Sequence, residues 1–244
     1  FRLNYIAQRC PKVGSDVLRV GAFVSIDMDS HARTRSWHAL SLRWDSMISA
    51  IVKPAVTKVI TPIASTALRI GITPNGVTWA GAIGVVASSF YFYPKGNFFW
   101  GTLVICFFAL SDLFDGTMAR ISQQGSSKWG GFLDSTIDRV TDSSVLIGVT
   151  LFLIDANDPL VPVILLTLVT GMLVPYIRAR AESMGIDCSG GIAERTERLI
   201  LALSAIGFSG LGIPYVLAGG MWLLAILGVI TVLQRILIVW RSTT

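Results

Sequence analysis

Residues 112–120 read DLFDGTMAR, and nine residues later residues 130–138 read GGFLDSTID. Asp112 and Asp115 are three residues apart, and Asp134 and Asp138 are four apart. Such spacings place side chains on one face of a helix, so two facing helices would present four carboxylates to one site. Apolar runs long enough to cross a bilayer flank both stretches. The sequence therefore predicts acidic helices within an all-α membrane protein.

Carboxylates in this setting need a cationic partner. An ionised aspartate near the centre of a membrane helix costs about 2.5–3.5 kcal/mol, so four unpaired ones would cost on the order of 10 kcal/mol. Hard carboxylate oxygens suit Mg²⁺, Mn²⁺ or Ca²⁺ better than Zn²⁺. We predict a site for two ions, Mg²⁺ with Mn²⁺ as the alternative, whose ligands are Asp112, Asp115, Asp134 and Asp138.

The composition supports the membrane assignment. Of 244 residues, 52% are hydrophobic and 14% are charged, and the mean hydropathy is +0.65, which is unusual for a soluble domain. The net charge of +5 comes from basic residues at the ends of apolar runs, where they fit anionic lipid headgroups. No basic patch alternates with aromatic residues, so we expect no nucleic-acid partner. The three cysteines are scattered and define neither a disulfide framework nor a metal motif.

Three segments differ in character. Residues 1–46 are mostly polar, and we interpret them as an appended soluble fragment, either part of another domain or fusion remnant, or a native cytosolic extension. Residues 47–70 mix cations with apolar residues and predict a juxtamembrane helix lying in the membrane interface. Residues 71–244 form the membrane domain. We predict six transmembrane helices, at about 76–94, 97–121, 131–154, 159–183, 192–212 and 214–240.

The distribution of positive charge predicts the orientation. With six spans, the loops on one side offer only Lys95, and the other basic residues near the spans fall on the opposite side. By the positive-inside rule, the mouth of the aspartate cluster faces the cytoplasm of a multi-pass cell (plasma) membrane protein. The residues on the cytoplasmic side are Lys53, Lys58, Arg69, Arg120, Lys128, Arg178, Arg180, Arg195, Arg198 and Arg241.

The residues around the aspartates indicate a phosphate-bearing ligand. Arg120 offers a planar fork of donors suited to phosphate, although at a span end it would also serve as a lipid anchor. Gly116 and Gly130 either pack helices closely or let a ligand approach the backbone. In phosphoryl-type transfer, metal ions screen phosphate charge while a carboxylate accepts the proton of an incoming hydroxyl. Asp138 is our candidate for that catalytic base.

The full pattern resembles the signature of the CDP-alcohol phosphotransferase family. All eight signature residues are present, and the gap between Arg120 and Gly130 is one residue longer than the commonest form. The resemblance covers about residues 72–240. It implies a membrane enzyme of six helices, usually a homodimer, in which an alcohol displaces CMP from a CDP-linked lipid. The eight residues are Asp112, Asp115, Gly116, Ala119, Arg120, Gly130, Asp134 and Asp138.

The resemblance also implies residue roles. The first three aspartates of the motif bind metal, and Asp138 acts as base and can touch the second ion. Residues 73–78 read TPNGVT and look like the family's entry to the first span, although alone they would read as a helix N-cap. The residues implied to contact the CDP-diacylglycerol substrate are Asn75, Gly76, Val77, Thr78, Gly116, Arg120 and Ser126.

The acceptor is predicted from residues 176–200, which resemble the branch of this family that makes phosphatidylinositol phosphate. Cations at the cytoplasmic mouth suit an acceptor that carries its own phosphate, although positive-inside topology alone would also place them there. The implied reaction transfers phosphatidyl from CDP-diacylglycerol to inositol 1-phosphate and releases CMP. Arg195 and Arg198, one turn apart, are the leading candidates for the acceptor phosphate, and the further candidates are Lys128, Arg178 and Arg180.

Two alternatives stay open at this point. The same chemistry with glycerol 3-phosphate would make phosphatidylglycerophosphate, and an acceptor competition assay separates the two. A divalent-cation transporter would also place aspartates inside the membrane. Arg120 beside the acids and glycines suited to a bulky ligand argue against a transporter. CMP release without ion flux would exclude it.

Overall fold

The computed structural model describes residues 61–121, 127–188 and 195–243, with the backbone alone at Leu113, Ala119 and Arg120. Within these ranges every regular element is helical, in agreement with the predicted all-α class. The predicted fragment 1–46, most of the segment 47–70 and Ser126 lie outside the described residues.

Eight α-helices follow one another in the described ranges. A short 3₁₀ helix, Tyr93–Lys95, follows the second of them. The α-helices are α1 Thr61–Arg69, α2 Pro74–Phe92, α3 Phe98–Ala109, α4 Ser111–Ile121, α5 Lys128–Asp155, α6 Val161–Ser183, α7 Arg195–Gly210 and α8 Val216–Thr243.

Three described helical stretches are long and apolar enough to cross a membrane, namely Phe98–Met118, Val161–Ser183 and Val216–Thr243. The first runs from α3 into α4. Helices α1 and α2 together would make a fourth span with a bend of 110°. Helix α5 is long enough to span a membrane, but five of its first 15 residues are charged. Its composition alone therefore does not identify it as a span. Six spans therefore stay a prediction.

The predicted second span, 97–121, is divided in the structure. Helix α3 ends at Ala109 and α4 begins at Ser111. The intervening Leu110 keeps helical dihedral angles, φ −61° and ψ −20°, and its N–H still donates to the carbonyl of Cys106. The division is thus a local tightening of one helical path rather than a change of direction.

Side-chain caps fix the starts of the two helices that meet at the aspartates. The hydroxyl of Thr73 accepts a hydrogen bond from the N–H of Gly76, and Pro74 takes the first position of α2. The hydroxyl of Ser127 accepts one from the N–H of Gly130 at the start of α5. Each cap satisfies an N–H that the helix itself leaves unpaired.

The helices pack closely where glycines remove side-chain bulk. A Cβ added at Gly81 of α2 would lie 1.7 Å from the hydroxyl of Ser111, so α2 touches the start of α4. A Cβ at Gly148 of α5 would lie 2.6 Å from the carbonyl oxygen of Ser89. These approaches hold α2 between α4 and α5. The main buried core includes Val85, Tyr93, Phe98, Ile105, Val149, Ile164, Ile206 and Met221.

Helix α1 also packs near the aspartate-bearing segment. Its buried Ala64 contacts the buried Met118 of α4, and Val77 of α2 joins the same apolar cluster. The described part of the predicted interfacial segment therefore lies against α2 and α4. Its position relative to a membrane stays a prediction.

Candidate active site

The start of α2 is hydrogen-bonded directly to the motif. The hydroxyl of Thr78 donates a hydrogen bond to the carboxylate of Asp115, and both side chains are buried. Thr78 is one of the predicted nucleotide contacts and Asp115 one of the predicted metal ligands. The bond thus joins the two sequence motifs in space and orients the Asp115 carboxylate.

The starts of α2 and α5 lie side by side. A Cβ added at Gly130 would come within 3.5 Å of the side-chain oxygen of Asn75 and 3.1 Å of the Ser127 hydroxyl. Helix N-termini carry partial positive charge and present N–H groups to anions. Two such ends beside the acidic face can accept a negatively charged group such as a diphosphate.

Arg195, at the start of α7, bridges the motif helices. Its Nη1 donates to Asp112 at 3.1 Å, and its Nη2 lies 2.9 Å from Asp138. Its Nε and Nη2 also donate to the two oxygens of Asp142 at 3.2 and 3.3 Å. One guanidinium therefore holds a carboxylate of α4 and two carboxylates of α5 together.

The four motif aspartates have different surroundings. Asp115 and Asp138 are buried, whereas Asp112 is partly exposed and Asp134 is exposed. Besides Arg195, Asp138 has Arg139 at 3.6 Å. The exposed Asp134 shows that the acidic face opens outward on the α5 side.

The carboxylates fit a divalent cation by their chemistry. In the described ranges no three Asp, Glu, His or Cys side chains already converge as ligands. Instead the Arg195 guanidinium stands in as the cation between Asp112 and Asp138. Oxygens from both motif helices thus lie within reach of one shared positive charge, and such oxygens are the ligands that Mg²⁺ and Mn²⁺ prefer.

A cavity adjoins the bridging arginine. Its volume is about 60 Å³, and it lies between α5, α6, α7 and α8. The Nε atom of Arg198 is buried and has no hydrogen-bond partner in the part of the chain that the structure describes. Such a donor can pair with an acceptor outside the described residues. The polar residues lining the cavity are Arg139, Asp142, Ser143, Thr167, Thr170, Arg195 and Arg198.

Comparison with known proteins decides the family. The family described as CDP-alcohol phosphatidyltransferase matches residues 71–240. The chain belongs to this family. A phosphatidylinositol phosphate synthase of Streptomyces avermitilis is 41% identical over 208 residues, covering 81% of this chain and 84% of that protein. The synthase of Mycolicibacterium smegmatis is 40% identical, covering 78% and 88%.

Solved structures of the Mycobacterium tuberculosis phosphatidylinositol phosphate synthase have the same fold. The structure with CDP-DAG bound is 42% identical, covers 75% of this chain and 94% of its own, and superposes with a TM-score of 0.72. The structure with manganese and citrate gives a TM-score of 0.70 and covers 74% and 88%. The predicted resemblance and the enzyme class, a CDP-alcohol phosphatidyltransferase, are thereby confirmed.

Several predicted nucleotide contacts have well-defined positions in this CDP-alcohol phosphatidyltransferase. Among the side chains that the structure describes, none would come within 4 Å of a Cβ at Gly116. Val77 packs in the apolar cluster of Met118, so its side chain is used in packing. The backbone of Arg120 lies in α4.

The predicted acceptor cations divide into two groups. Arg195 and Arg198 line the same cavity beside the aspartates. Lys128, Arg178 and Arg180 are exposed, and Arg178 pairs with Glu182 at 2.8 Å. Of these five cations, Arg195 alone has a described contact with the motif aspartates, and Arg198 lies beside it in the cavity.

Three residues at or near the site were not predicted as site residues. Asp142 follows Asp138 by one turn, but its partner Arg195 is remote in sequence, so no local pattern pointed to the pair. Arg139 contacts Asp138 from the adjacent position. Arg235 lies buried in the apolar α8 and donates to the carbonyl of Val174. A lone arginine within an apolar run is the signal that would have singled it out.

Proposed function

We propose that this enzyme transfers the phosphatidyl group of CDP-diacylglycerol to inositol 1-phosphate, giving phosphatidylinositol phosphate and CMP. The observation that carries the acceptor assignment is the position of Arg195 and Arg198, which line one cavity next to Asp138. A phosphate held by these guanidinium groups would place the acceptor's hydroxyls near the motif carboxylates. The relatives that carry the name phosphatidylinositol phosphate synthase support the same acceptor.

In the proposed reaction, an acceptor hydroxyl attacks the lipid-linked phosphorus of CDP-diacylglycerol. A new P–O bond forms to the acceptor, and the P–O bond to CMP breaks. Asp138 accepts the proton of the attacking hydroxyl. Its burial and its contact with Arg139 restrict its orientation, as a base positioned by its neighbours requires.

The nucleotide side of the site is assigned to the start of α2 and to α4 at Gly116. Asn75, Gly76 and Thr78 lie at the start of α2, where Asn75 is close to the start of α5. No described side chain lies within 4 Å of a Cβ at Gly116, which supports the approach of a diphosphate to the backbone there. We assign the remaining nucleotide contacts to Val77, through its backbone, and to Arg120 and Ser126.

Asp112, Asp115, Asp134 and Asp138 would hold the divalent cations, proposed to be two Mg²⁺ or Mn²⁺ ions. Bound there, the ions would screen the negative charge of the diphosphate. The manganese in the solved relative supports a divalent ion of this class. The acceptor phosphate is assigned to Arg195 and Arg198, with Lys128, Arg178 and Arg180 attracting it from further out.

The lipid substrate requires access from the bilayer. We propose six membrane spans with the aspartates facing the cytoplasm, and a homodimer as the functional form. An apolar groove between α3 and α7, lined by Leu103, Cys106, Ile200 and Phe208, starts within two turns of Asp112 and Arg195. We assign it to an acyl chain of CDP-diacylglycerol.

The test is CMP release by purified protein in detergent with CDP-diacylglycerol and Mg²⁺. We expect release only when inositol 1-phosphate is added, and loss of release in EDTA. Arg198→Gln is expected to raise KM for inositol 1-phosphate about tenfold or more, because a charge-assisted phosphate contact is lost. Its KM for CDP-diacylglycerol is expected to stay unchanged. Release with glycerol 3-phosphate instead would overturn the acceptor assignment.

A further inference from the structure

Arg195 uses all three of its guanidinium nitrogens on aspartates. Nη1 contacts Asp112, Nη2 contacts Asp138, and Nε contacts Asp142. Asp112 and Asp138 are two of the proposed metal ligands, whereas Asp142 is not. The guanidinium therefore lies where a divalent cation would approach the same two carboxylates.

We infer that Arg195 couples cation binding to acceptor binding: it holds Asp112 and Asp138 when no divalent cation is bound, and cation binding releases it to the acceptor phosphate. This inference rests on the proposed function. A guanidinium and a divalent cation are both positively charged and repel each other. They therefore compete for the carboxylates of Asp112 and Asp138. A tightly bound cation would thus weaken the contacts of Arg195 with Asp112 and Asp138.

Asp142 keeps the released arginine in place. It accepts hydrogen bonds from both Nε and Nη2 of Arg195, at 3.2 and 3.3 Å, in a two-point contact that fixes the plane of the guanidinium. Asp142 and Arg195 both line the cavity. When the contacts with Asp112 and Asp138 are lost, Asp142 therefore holds Arg195 at the cavity wall. Asp142 thus acts as a positioning residue.

The cavity supplies the second arginine. Arg198 lines it, and its buried Nε has no hydrogen-bond partner among the described residues. While Arg195 contacts three carboxylates, four of its five N–H donors are engaged and the adjacent negative charges repel a phosphate. Once it is released, Nη1 and part of Nη2 become free to donate beside Arg198. The acceptor phosphate is thus expected to bind tightly only after the cation.

The test is direct binding of inositol 1-phosphate to the purified full chain in detergent, by calorimetry, without lipid substrate. Wild type is expected to bind about tenfold more tightly in Mg²⁺ than in EDTA, within the usual range of coupling between two sites. Asp138→Asn and Asp112→Asn each remove a carboxylate that holds Arg195. In EDTA both are expected to bind inositol 1-phosphate about tenfold more tightly than wild type does in EDTA.

Asp115→Asn is the matched control. It removes the same charge from the same cluster, but Asp115 bonds to Thr78 and has no described contact with Arg195. Its affinity in EDTA is expected to stay within about threefold of wild type, as a general charge effect predicts. Equal gains in Asp115→Asn and Asp138→Asn would overturn the inference, because charge alone would then explain both.

Asp142→Asn tests the positioning role with the opposite sign. Loss of a negative charge alone would strengthen anion binding. If Asp142 holds the released Arg195, the variant instead binds inositol 1-phosphate about fivefold more weakly in Mg²⁺ than wild type, within the coupling range of two linked sites. Unchanged or stronger binding would contradict the role. Variants that elute as aggregates are replaced by Asp→Ser at the same position.

The binding data also separate the two proposals. Wild type that binds inositol 1-phosphate equally well in Mg²⁺ and EDTA would overturn the coupling and leave the proposed acceptor intact. Binding of glycerol 3-phosphate alone in Mg²⁺ would overturn the acceptor, and the same variants would then measure the coupling with that ligand. Binding of neither phosphate would overturn both proposals.

Discussion

The hydroxyl of Thr78 in α2 donates a hydrogen bond to the buried carboxylate of Asp115 in α4. The same hydroxyl lies 3.1 Å from the carbonyl of Pro74, one turn earlier. Thr78 therefore connects the capped start of α2 to a proposed metal ligand, and the two motifs depend on each other's placement.

We predict that Thr78→Val lowers the free energy of unfolding by about 1–3 kcal/mol, because a buried carboxylate loses its side-chain donor. CMP release is expected to fall as well, since Asp115 is no longer held in one orientation. Thermal unfolding in detergent and steady-state kinetics measure the two effects. Thr78→Ser keeps the hydroxyl and is expected to retain most of both. Equal losses in the serine variant would mean that the methyl group, and not the hydrogen bond, matters.

Gly116 offers a prediction that separates ligand binding from folding. A Cβ there meets no described heavy atom within 4 Å, so Gly116→Val is expected to leave the unfolding temperature nearly unchanged. If the diphosphate approaches this face, the added side chain blocks it, and KM for CDP-diacylglycerol rises about tenfold or more. Gly131→Val, at a similarly open glycine of α5, is the control. A fully active Gly116→Val would remove this residue from the proposed nucleotide contacts.

Gly148 is expected to show the opposite behaviour. Its Cβ would lie 2.6 Å from the backbone carbonyl of Ser89, and backbone cannot move as a flexible side chain does. Gly148→Ala should therefore destabilise the fold by about 1–3 kcal/mol. Gly219→Ala in α8, where the Cβ has open space, should be neutral or stabilise by about 0.5–1 kcal/mol, because alanine favours helix. Comparable melting temperatures for the two variants would contradict the close α2–α5 packing.

Asp138 and Asp115 should differ in their metal dependence. Asp138→Asn is expected to remove most turnover while Mn²⁺ binding, followed by electron paramagnetic resonance, is largely retained, since the remaining motif carboxylates still bind the ion. Asp115→Asn is expected to weaken Mn²⁺ binding as well as turnover. Normal turnover in Asp138→Asn would exclude it as the base.

Much of this fold could be predicted from the sequence because apolar runs and turn residues mark helices directly. The predicted span 131–154 became α5, Lys128–Asp155, and 159–183 became α6, Val161–Ser183. The division at Leu110 was not predicted, because Leu110 keeps helical dihedral angles and no Gly or Pro interrupts the helical pattern there. The capped starts at Thr73 and Ser127 follow from ordinary N-cap preferences.

The candidate site was only partly predictable. Helical spacing placed Asp112 with Asp115 and Asp134 with Asp138, since that depends on local geometry. It could not show that Arg195, 57 residues after Asp138, would bridge the two helices, because that depends on how α7 packs. The role of Asp142 could not be predicted either, because it also depends on the position of Arg195.

The most direct test of the central claim is a single competition reaction. Purified protein in Mg²⁺ receives CDP-diacylglycerol with equal concentrations of inositol 1-phosphate, free inositol and glycerol 3-phosphate, and mass spectrometry identifies the lipid product. The account predicts phosphatidylinositol phosphate as the dominant product, with CMP released in equal amount, because Arg195 and Arg198 favour an acceptor that carries a phosphate and the similar proteins are phosphatidylinositol phosphate synthases. Phosphatidylinositol or phosphatidylglycerophosphate as the dominant product would contradict it.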